Sequence, residues 1–553
     1  MNRSQAPILL LLSILAGLWV GVVWRQPPGT GPARATEPAA GRPGSSASAP
    51  EPETATRTSG TMPLLRAAPR SATTTRVADP AGPLADPPAP EEVRALKLKA
   101  LEEILADSGS FADLPEQERS RLALYAGQLA LSNTPFTRCW TPGTPRELVQ
   151  AYLRVEQRIT TAGGFHAMAL RVADRWGRTA TNGTNQGIQG QPVTLTWSIV
   201  PDGTAITPSD ATESSDPSNL RARMAAIYGG SATGDPTAQP WFPIYQAVFD
   251  NLGAISGLRF VYEPNDDGLT IDSITGSSDW GSLGLRGDIR LSGHPIDGNN
   301  GVLAYAYYPD NGDVVIDTND TYYNTISNDS IRLRNILEHE IGHSLGLAHV
   351  CPIDQTKLME PFVNTNFRGS QFDDVYSHQR NYGDPLEVHG SLRNNDSPPA
   401  ATPLLLCPGS SAAWQWLSID DSTDLDHYAF SGTTTQQVTV RIIPSDPILP
   451  ADPNLDTYLE GPQNSDGSCS AGTDFDPTTQ QDLILDLLAA DGSTVLASAP
   501  IQAAGLSEEI TSFQLPASGT HYIRVRGGAA DRAQLYRMEV LLVDAAPAPQ
   551  VLL

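Results

Sequence analysis

The residues best suited to chemistry lie in one stretch, HEIGHSLGLAH, from His339 to His349. His339 and His343 are four residues apart, and on a helix that spacing stacks both imidazoles on one face, where they can share one ion. Glu340 is one position on, so its carboxylate points beside such an ion, where a general base for a metal-activated water is needed. Gly342 in mid-helix costs about 1 kcal/mol relative to alanine, so something other than helix stability must explain it. Gly346 can adopt positive φ, end the helix and turn the chain back, letting His349 approach from a third direction. Three neutral imidazoles leave the fourth tetrahedral position open, as a catalytic zinc requires.

A helix carrying these residues needs a core to hold it. Leu337, Ile341 and Leu345 repeat at helical spacing on an adjacent stripe, and the helix is expected from Ser330 to Leu347. Upstream, VTLTWSIV near Gln191 reads as a strand, and PWFPIYQAVFDNLGAISGLRFVYE as a helix feeding a strand. GVLAYAYYP and DVVIDT add further strands. Leucines at three- and four-residue spacing predict helices between Glu91 and about Ala130, and another over PRELVQAYLRVEQRIT. After Gly383 short apolar runs such as DLILDLLAA, STVLASAP and HYIRVRG alternate with turns, the pattern of an all-β sandwich.

The whole of HEIGHSLGLAH resembles the zinc signature of the metzincin clan, and its wording is that of the matrixin family. KLMEPF is similar to that family's Met-turn, with Met359 ten residues after His349. FDDVYSHQRNYG, Phe372 to Gly383, resembles its closing helix; IDGNNGVLAYAYYP its strand beside the cleft; GDVVIDTND its calcium-binding turn. The resemblance spans roughly Gln191 to Gly383. It implies a zinc endopeptidase acting on protein or peptide substrates, with zinc on His339, His343 and His349 and Glu340 as general base. It also implies structural calcium at Asp297, Asp317 and Asp320. The family's second, structural zinc is not expected: Arg290, Ser292, Tyr305 and Val315 fall where its histidines and aspartate would be. Glu360 and Phe362 depart from the pattern past the Met-turn and leave the bond preference open. Tyr307 and Tyr308 read as packing residues of a strand. The competing class is a surface-binding protein whose metal site is structural and whose β-sandwich does the binding.

Four cysteines, Cys139, Cys351, Cys407 and Cys469, allow three pairings, and the residues alone do not choose among them. Arg138-Cys139-Trp140-Thr141-Pro142 is similar in outline to the matrixin propeptide switch, whose thiolate can displace the catalytic water. The alternative, favoured by an oxidising compartment, is a disulfide from Cys139 to Cys351. Cys407 and Cys469 are then expected to bridge within the C-terminal domain.

The remaining composition sets the frame. With 62 acidic against 36 basic residues the net charge is −26, which disfavours nucleic acid and anionic lipid as partners. An uncharged, mainly apolar run from Ala6 to Trp24 follows Arg3 and reads as a signal peptide or membrane anchor. Either places the chain outside the cytoplasm, secreted or anchored, with membrane contact only through that anchor. The expected organisation is an N-terminal segment (1–25), a disordered Pro/Ala/Ser-rich linker (26–90) and a helical, pro-like region (91–185). A matrixin-like peptidase domain (186–386) and a β-sandwich (387–553) follow, the latter resembling bacterial pre-peptidase C-terminal domains through NNDSPPAATPL, DSTDLDHYAFSG and ASGTHYIRVRG. The fold class is α+β: a mixed twisted sheet with long helices, plus the helical region and the sandwich. Asp420, Asp421, Asp424 and Asp426 could bind calcium, though such a cluster is more often a solvated loop.

Overall fold

The helices fall where the leucine spacing puts them: α1 (Pro90–Ala106), α2 (Glu116–Leu131) and α3 (Arg146–Ala162). The computed structural model describes residues 90–107, 109–163, 175–184, 186, 188–210, 213–272, 280–387, 394–444, 458–464, 466–528 and 532–545. The N-terminal apolar run and the Pro/Ala/Ser-rich stretch lie outside the described residues. Among the described residues no helix is long and apolar enough to cross a membrane.

The larger sheet is built from β2 (Val193–Ile199), β3 (Leu258–Tyr262), β4 (Ile289–His294), β5 (Val302–Tyr307) and β6 (Val314–Asp317). A sixth strand, β1 (Phe136–Trp140), comes from the helical N-terminal region and takes one edge, giving the order β1-β5-β6-β4-β2-β3. β5 runs antiparallel to both β1 and β6, while the other neighbours are parallel. Sequence patterning shows neither β1 nor β4. All residues of both are buried, so the polar positions of FTRCW and IRLSGH, an arginine in each, read as surface although they face the interior. The structure pairs each arginine inside. Arg290 on β4 donates to both oxygens of Asp266 (2.8 and 3.0 Å), and Arg138 on β1 donates to Ser209 Oγ (2.6 Å) and Asp210 (2.8 Å).

Helices α4 (Leu220–Tyr228), α5 (Phe242–Ala254), α6 (Ser327–Ser344) and α7 (Phe372–Tyr382) complete the catalytic unit. Asn328, Asp329 and Ser330 have left-handed φ of 52–56°, so the regular part of α6 starts at Ile331. Its stripe of Leu337, Ile341 and Leu345 packs into one core with Trp197, Phe249 and Leu252, as the spacing predicts. A second core joins the N-terminal helices to the sheet, where Tyr125, Phe136 and Tyr152 meet Tyr305, Tyr307 and Val315.

Beyond residue 394 two sheets, antiparallel except for the short edge strand Thr402–Pro403, share a core that includes Val440, Leu487, Ile523 and Met538, which makes the expected β-sandwich. It is docked: Phe372 and Tyr376 of α7 pack against Ala533, Leu535 and Phe475 of the sandwich. A small hairpin formed by Tyr458–Glu460 and Thr473–Phe475 reaches back toward the catalytic unit.

This hairpin corrects the expected disulfides. Cys351 bonds Cys469, with Cα atoms 5.3 Å apart, and among the described residues Cys139 and Cys407 are free thiols. Cys469 lies on the hairpin, whose Gly461 N–H donates to Cys351 O (3.1 Å), while Cys407 is exposed on the sandwich. Geometry of this kind satisfies the short approach that a disulfide demands.

Candidate metal centre

α6 presents His339 and His343 on one face, and their Nε2 atoms stand 3.0 Å apart. The Nδ1 atoms face carbonyls, Leu358 O at 2.7 Å and Leu347 O at 2.6 Å. A carbonyl can only accept, so each Nδ1 carries the proton and each Nε2 offers a lone pair. Two lone pairs facing at that distance repel unless a cation lies between them. Burial holds both imidazoles neutral, bringing His339 down to about 4 and His343 well below its ordinary value, the ligand form in each case.

Gly346 has φ of +100° and ends the helix, with its N–H donating to His343 O (2.9 Å) and Leu347 N–H to Gly342 O (2.9 Å). The reversal brings His349 back, and one ligand nitrogen of each of the three histidines falls within 4.8 Å of the others. Glu340 is fully buried, and neither carboxylate oxygen has a hydrogen-bond partner. A buried carboxylate left unsatisfied is costly, and it has a use where water is to be deprotonated. The donor set therefore fits zinc with one position open.

Gly342 has its explanation in Met359. A Cβ at position 342 would sit 2.7 Å from Met359 Sδ, so the methionine packs directly on the helix behind the histidines. Gly342→Ala should cost about 1–3 kcal/mol through overpacking despite its better helix propensity. Thermal unfolding and zinc content measure this, and a variant more stable than the parent would contradict the packing.

Tyr308 lies edge-on to His343, with ring centroids 5.8 Å apart, and Tyr307 is buried against Phe136, consistent with packing. Glu360 faces away from the cleft: its carboxylate caps a turn by accepting from the N–H groups of Gln355, Thr356 and Lys357 (2.9–3.2 Å). At Asp297, Asp317 and Asp320 the carboxylates gather main-chain donors. Asp317 accepts from Ile296, Asp297, Gly298 and Asn319; Asp320 from Asn300 and Tyr322; Asp297 from Val302. Burial, and then the charge of Asp317, lift Asp297 to about 6.

Where the family's second zinc would lie, this chain has other groups. Arg290 is fully buried in its ion pair with Asp266. Tyr305 OH donates to Glu213 Oε1 (2.8 Å), which also takes His294 Nε2 at 2.5 Å. His294 Nδ1 faces Asp216 O (2.8 Å), so both ring nitrogens meet acceptors. Burial opposes the charge on His294, but Glu213 outweighs it and raises the pKa. Sequence reasoning missed His294 and Glu213, which are 81 residues apart and share no local pattern.

Cys139 is the largest addition to the site. Its thiol, His339 and Glu340 bring ligand atoms within 4.8 Å of one another. Strand β1 delivers it, pairing Phe136–Trp140 with β5 on one side. On the other side Trp140 N–H donates to Pro361 O (2.9 Å) and Val363 N–H to Trp140 O (3.2 Å). Arg138 anchors the strand, its guanidinium 4.3 Å from the Tyr125 ring centroid and paired with Asp210. The hairpin bearing Cys469 also touches this region, as Arg154 Nε of α3 donates to Asp466 O (2.7 Å).

The comparisons agree with this geometry. Residues 286–383 match the family profile described as Matrixin. Neutrophil collagenase of Homo sapiens is 36% identical over 117 residues, covering 20% of this chain and 24% of that protein. Karilysin of Tannerella forsythia is 31% identical over 176 residues, covering 31% of this chain and 33% of its own length. Metalloendoproteinase 2-MMP of Arabidopsis thaliana is 28% identical over 193 residues, covering 33% and 46%. The chain thus spans a quarter to a half of these relatives' length. Fold and site define a metzincin-like metal centre. The catalytic domain that carries it is a matrixin domain.

Proposed function

We propose that this chain is an exported zinc endopeptidase that its own N-terminal region holds latent. The observation that carries the reading is the convergence of three buried histidines beside a buried Glu340 carboxylate without a hydrogen-bond partner. Held by His339, His343 and His349, zinc supplies Lewis acidity that makes water nucleophilic near neutral pH and polarises a carbonyl. Glu340 accepts the proton of the attacking water and returns it to the leaving amine. The carbonyls of Leu358 and Leu347 fix the orientation of the first two imidazoles. A purely structural metal site has no use for Glu340, which argues against the surface-binding alternative.

Substrate is an extended protein or peptide segment added as a strand to β5. The pairing of β1 along that edge supports this: β1 lies where substrate must lie, with its cysteine at the metal centre. The region from α1 to α3 is accordingly the latency element, the next segment to about residue 386 the peptidase domain, and the remainder the sandwich. The Cys351–Cys469 disulfide supports an extracytoplasmic location, where such bonds persist. Calcium at Asp297, Asp317 and Asp320 belongs to the same proposal, supported by carboxylates brought together where the turn after β4 meets the turn after β6.

Hydrolysis of an unfolded protein by the chain, once its N-terminal region has been cut away, tests the reading. Activity should vanish with a zinc chelator and return with zinc; a processed, zinc-loaded protein that cleaves nothing would sink it. His349→Ala should lose zinc and activity together, which metal analysis beside the same assay decides.

A further inference from the structure

The catalytic domain meets the sandwich through carboxylates. Asp384 and Glu387, just past α7, come together with Asp420, Asp424 and Asp426 of the sandwich. Ligand oxygens of Asp384, Glu387 and Asp426 lie within 4.8 Å of one another, and those of Glu387, Asp420 and Asp424 do so too. All five residues are at most 8% exposed, so of the aspartates expected on a solvated loop Asp420, Asp424 and Asp426 turn inward, while Asp421 stays partly exposed at the surface. Two glycines make room for them. A Cβ at Gly383 would fall 2.1 Å from Glu387 Oε2, and one at Gly190 would overlap Asp420 Oδ2.

Few donors reach this group. Asp384 accepts from Leu386 N–H (2.6 Å) and Ser418 N–H (3.1 Å), Glu387 from Asp384 N–H (3.0 Å), Asp424 from Asp420 N–H (2.7 Å), and Asp426 Oδ2 from Tyr536 OH (2.5 Å). Arg175, which also donates to Asn381 O (2.7 Å) and Gln191 O (2.9 Å), brings one positive charge to Asp420, against five carboxylates in the group. Asp426 Oδ1 has no partner. Asn395, 1% exposed, lies against the Asp426 carboxylate, yet neither its Oδ1 nor its Nδ2 finds a hydrogen bond of good geometry. An idle amide oxygen beside converging carboxylates, all buried, is an arrangement that a hard cation satisfies and bare carboxylates do not. Burial and mutual repulsion lift the carboxyls of Glu387, Asp384, Asp420 and Asp424 well above the usual range, the cost that a cation would remove.

We propose that Asp384, Glu387, Asp420, Asp424 and Asp426, with Asn395 Oδ1, form a calcium site that clamps the peptidase domain to the sandwich. Glu387 is the common ligand of the two groups. Calcium rather than magnesium suits it, because calcium takes six to eight oxygens in irregular geometry. The ion would fix the end of α7 and so couple the sandwich to the catalytic domain.

Calcium binding and thermal unfolding of the full chain test this, with calcium chloride as the only ligand added to chelator-treated protein. Asp317→Asn, at the separate turn, is the control. The parent should gain stability with calcium, and Asp424→Asn and Glu387→Gln should each weaken binding at this site by roughly tenfold or more while Asp317→Asn leaves it intact. The sign in chelator separates the site from simple packing: without calcium both variants should be at least as stable as the parent, because each removes a repelling charge. The proposal is overturned if calcium stabilises these variants as much as the parent, if Asp317→Asn alone abolishes the response, or if both variants lose equal stability with and without calcium. A parent chain indifferent to calcium overturns it as well.

Discussion

Glu340→Gln is expected to lower peptide hydrolysis by the processed enzyme roughly 10²–10⁴-fold, the usual share of a positioned general base. Zinc content should stay at the parent's level. The separation follows from the geometry. Two of the three histidines, His339 and His343, are oriented independently of Glu340, held by the carbonyls of Leu358 and Leu347. Neither oxygen of Glu340 makes a hydrogen bond that the substitution would break. Glutamine also keeps the side chain's size, so the core around Ile336, Leu337 and Ile341 need not repack. Stability should rise or stay level, because a buried acid is replaced by a neutral amide. An activity loss below about tenfold, equivalent to 1.4 kcal/mol of barrier, would show that another group takes the proton.

The metal centre was legible in the sequence because its information is local. His339 and His343 are set by helical spacing, His349 by a glycine turn, and the stripe of Leu337, Ile341 and Leu345 announces its core. What stayed hidden depends on partners far along the chain. Cys469 lies 118 residues beyond Cys351, and nothing near either cysteine names the other. The five carboxylates beneath Gly190 and Gly383 come from two domains, and an Asp-rich loop reads as solvated until a second surface covers it. β1 and β4 escaped for a shared reason. Arg138 and Arg290 are charged residues in strands buried on both faces, and only the structure reveals Asp210 and Asp266 waiting for them. Gly342 lay between these cases: its anomaly was visible, but its cause, Met359 Sδ, required the fold.

Cys139→Ser should raise the activity of the full, unprocessed chain on a short peptide at least tenfold, and removal of the N-terminal region should raise it further. In the proposed latent form two separate contacts would keep the cleft closed. One is the thiol, placed with His339 and Glu340, which serine replaces with a far weaker metal ligand. The other is the strand, paired with β5 and with Pro361 and Val363, and anchored by the buried pair of Arg138 and Asp210. Serine leaves the second contact intact, so the variant's strand must still open before substrate can enter. Asp210→Ala attacks the anchor instead and leaves Arg138 a buried charge with one partner fewer, a loss of about 3–5 kcal/mol when such a pair is broken. That variant should shed its N-terminal region faster under limited proteolysis. Combining it with Cys139→Ser should release more activity than either change alone. If Cys139→Ser were as silent as the parent while the double variant matched Asp210→Ala, strand pairing alone would account for latency, and the thiol beside His339 would have no part in it.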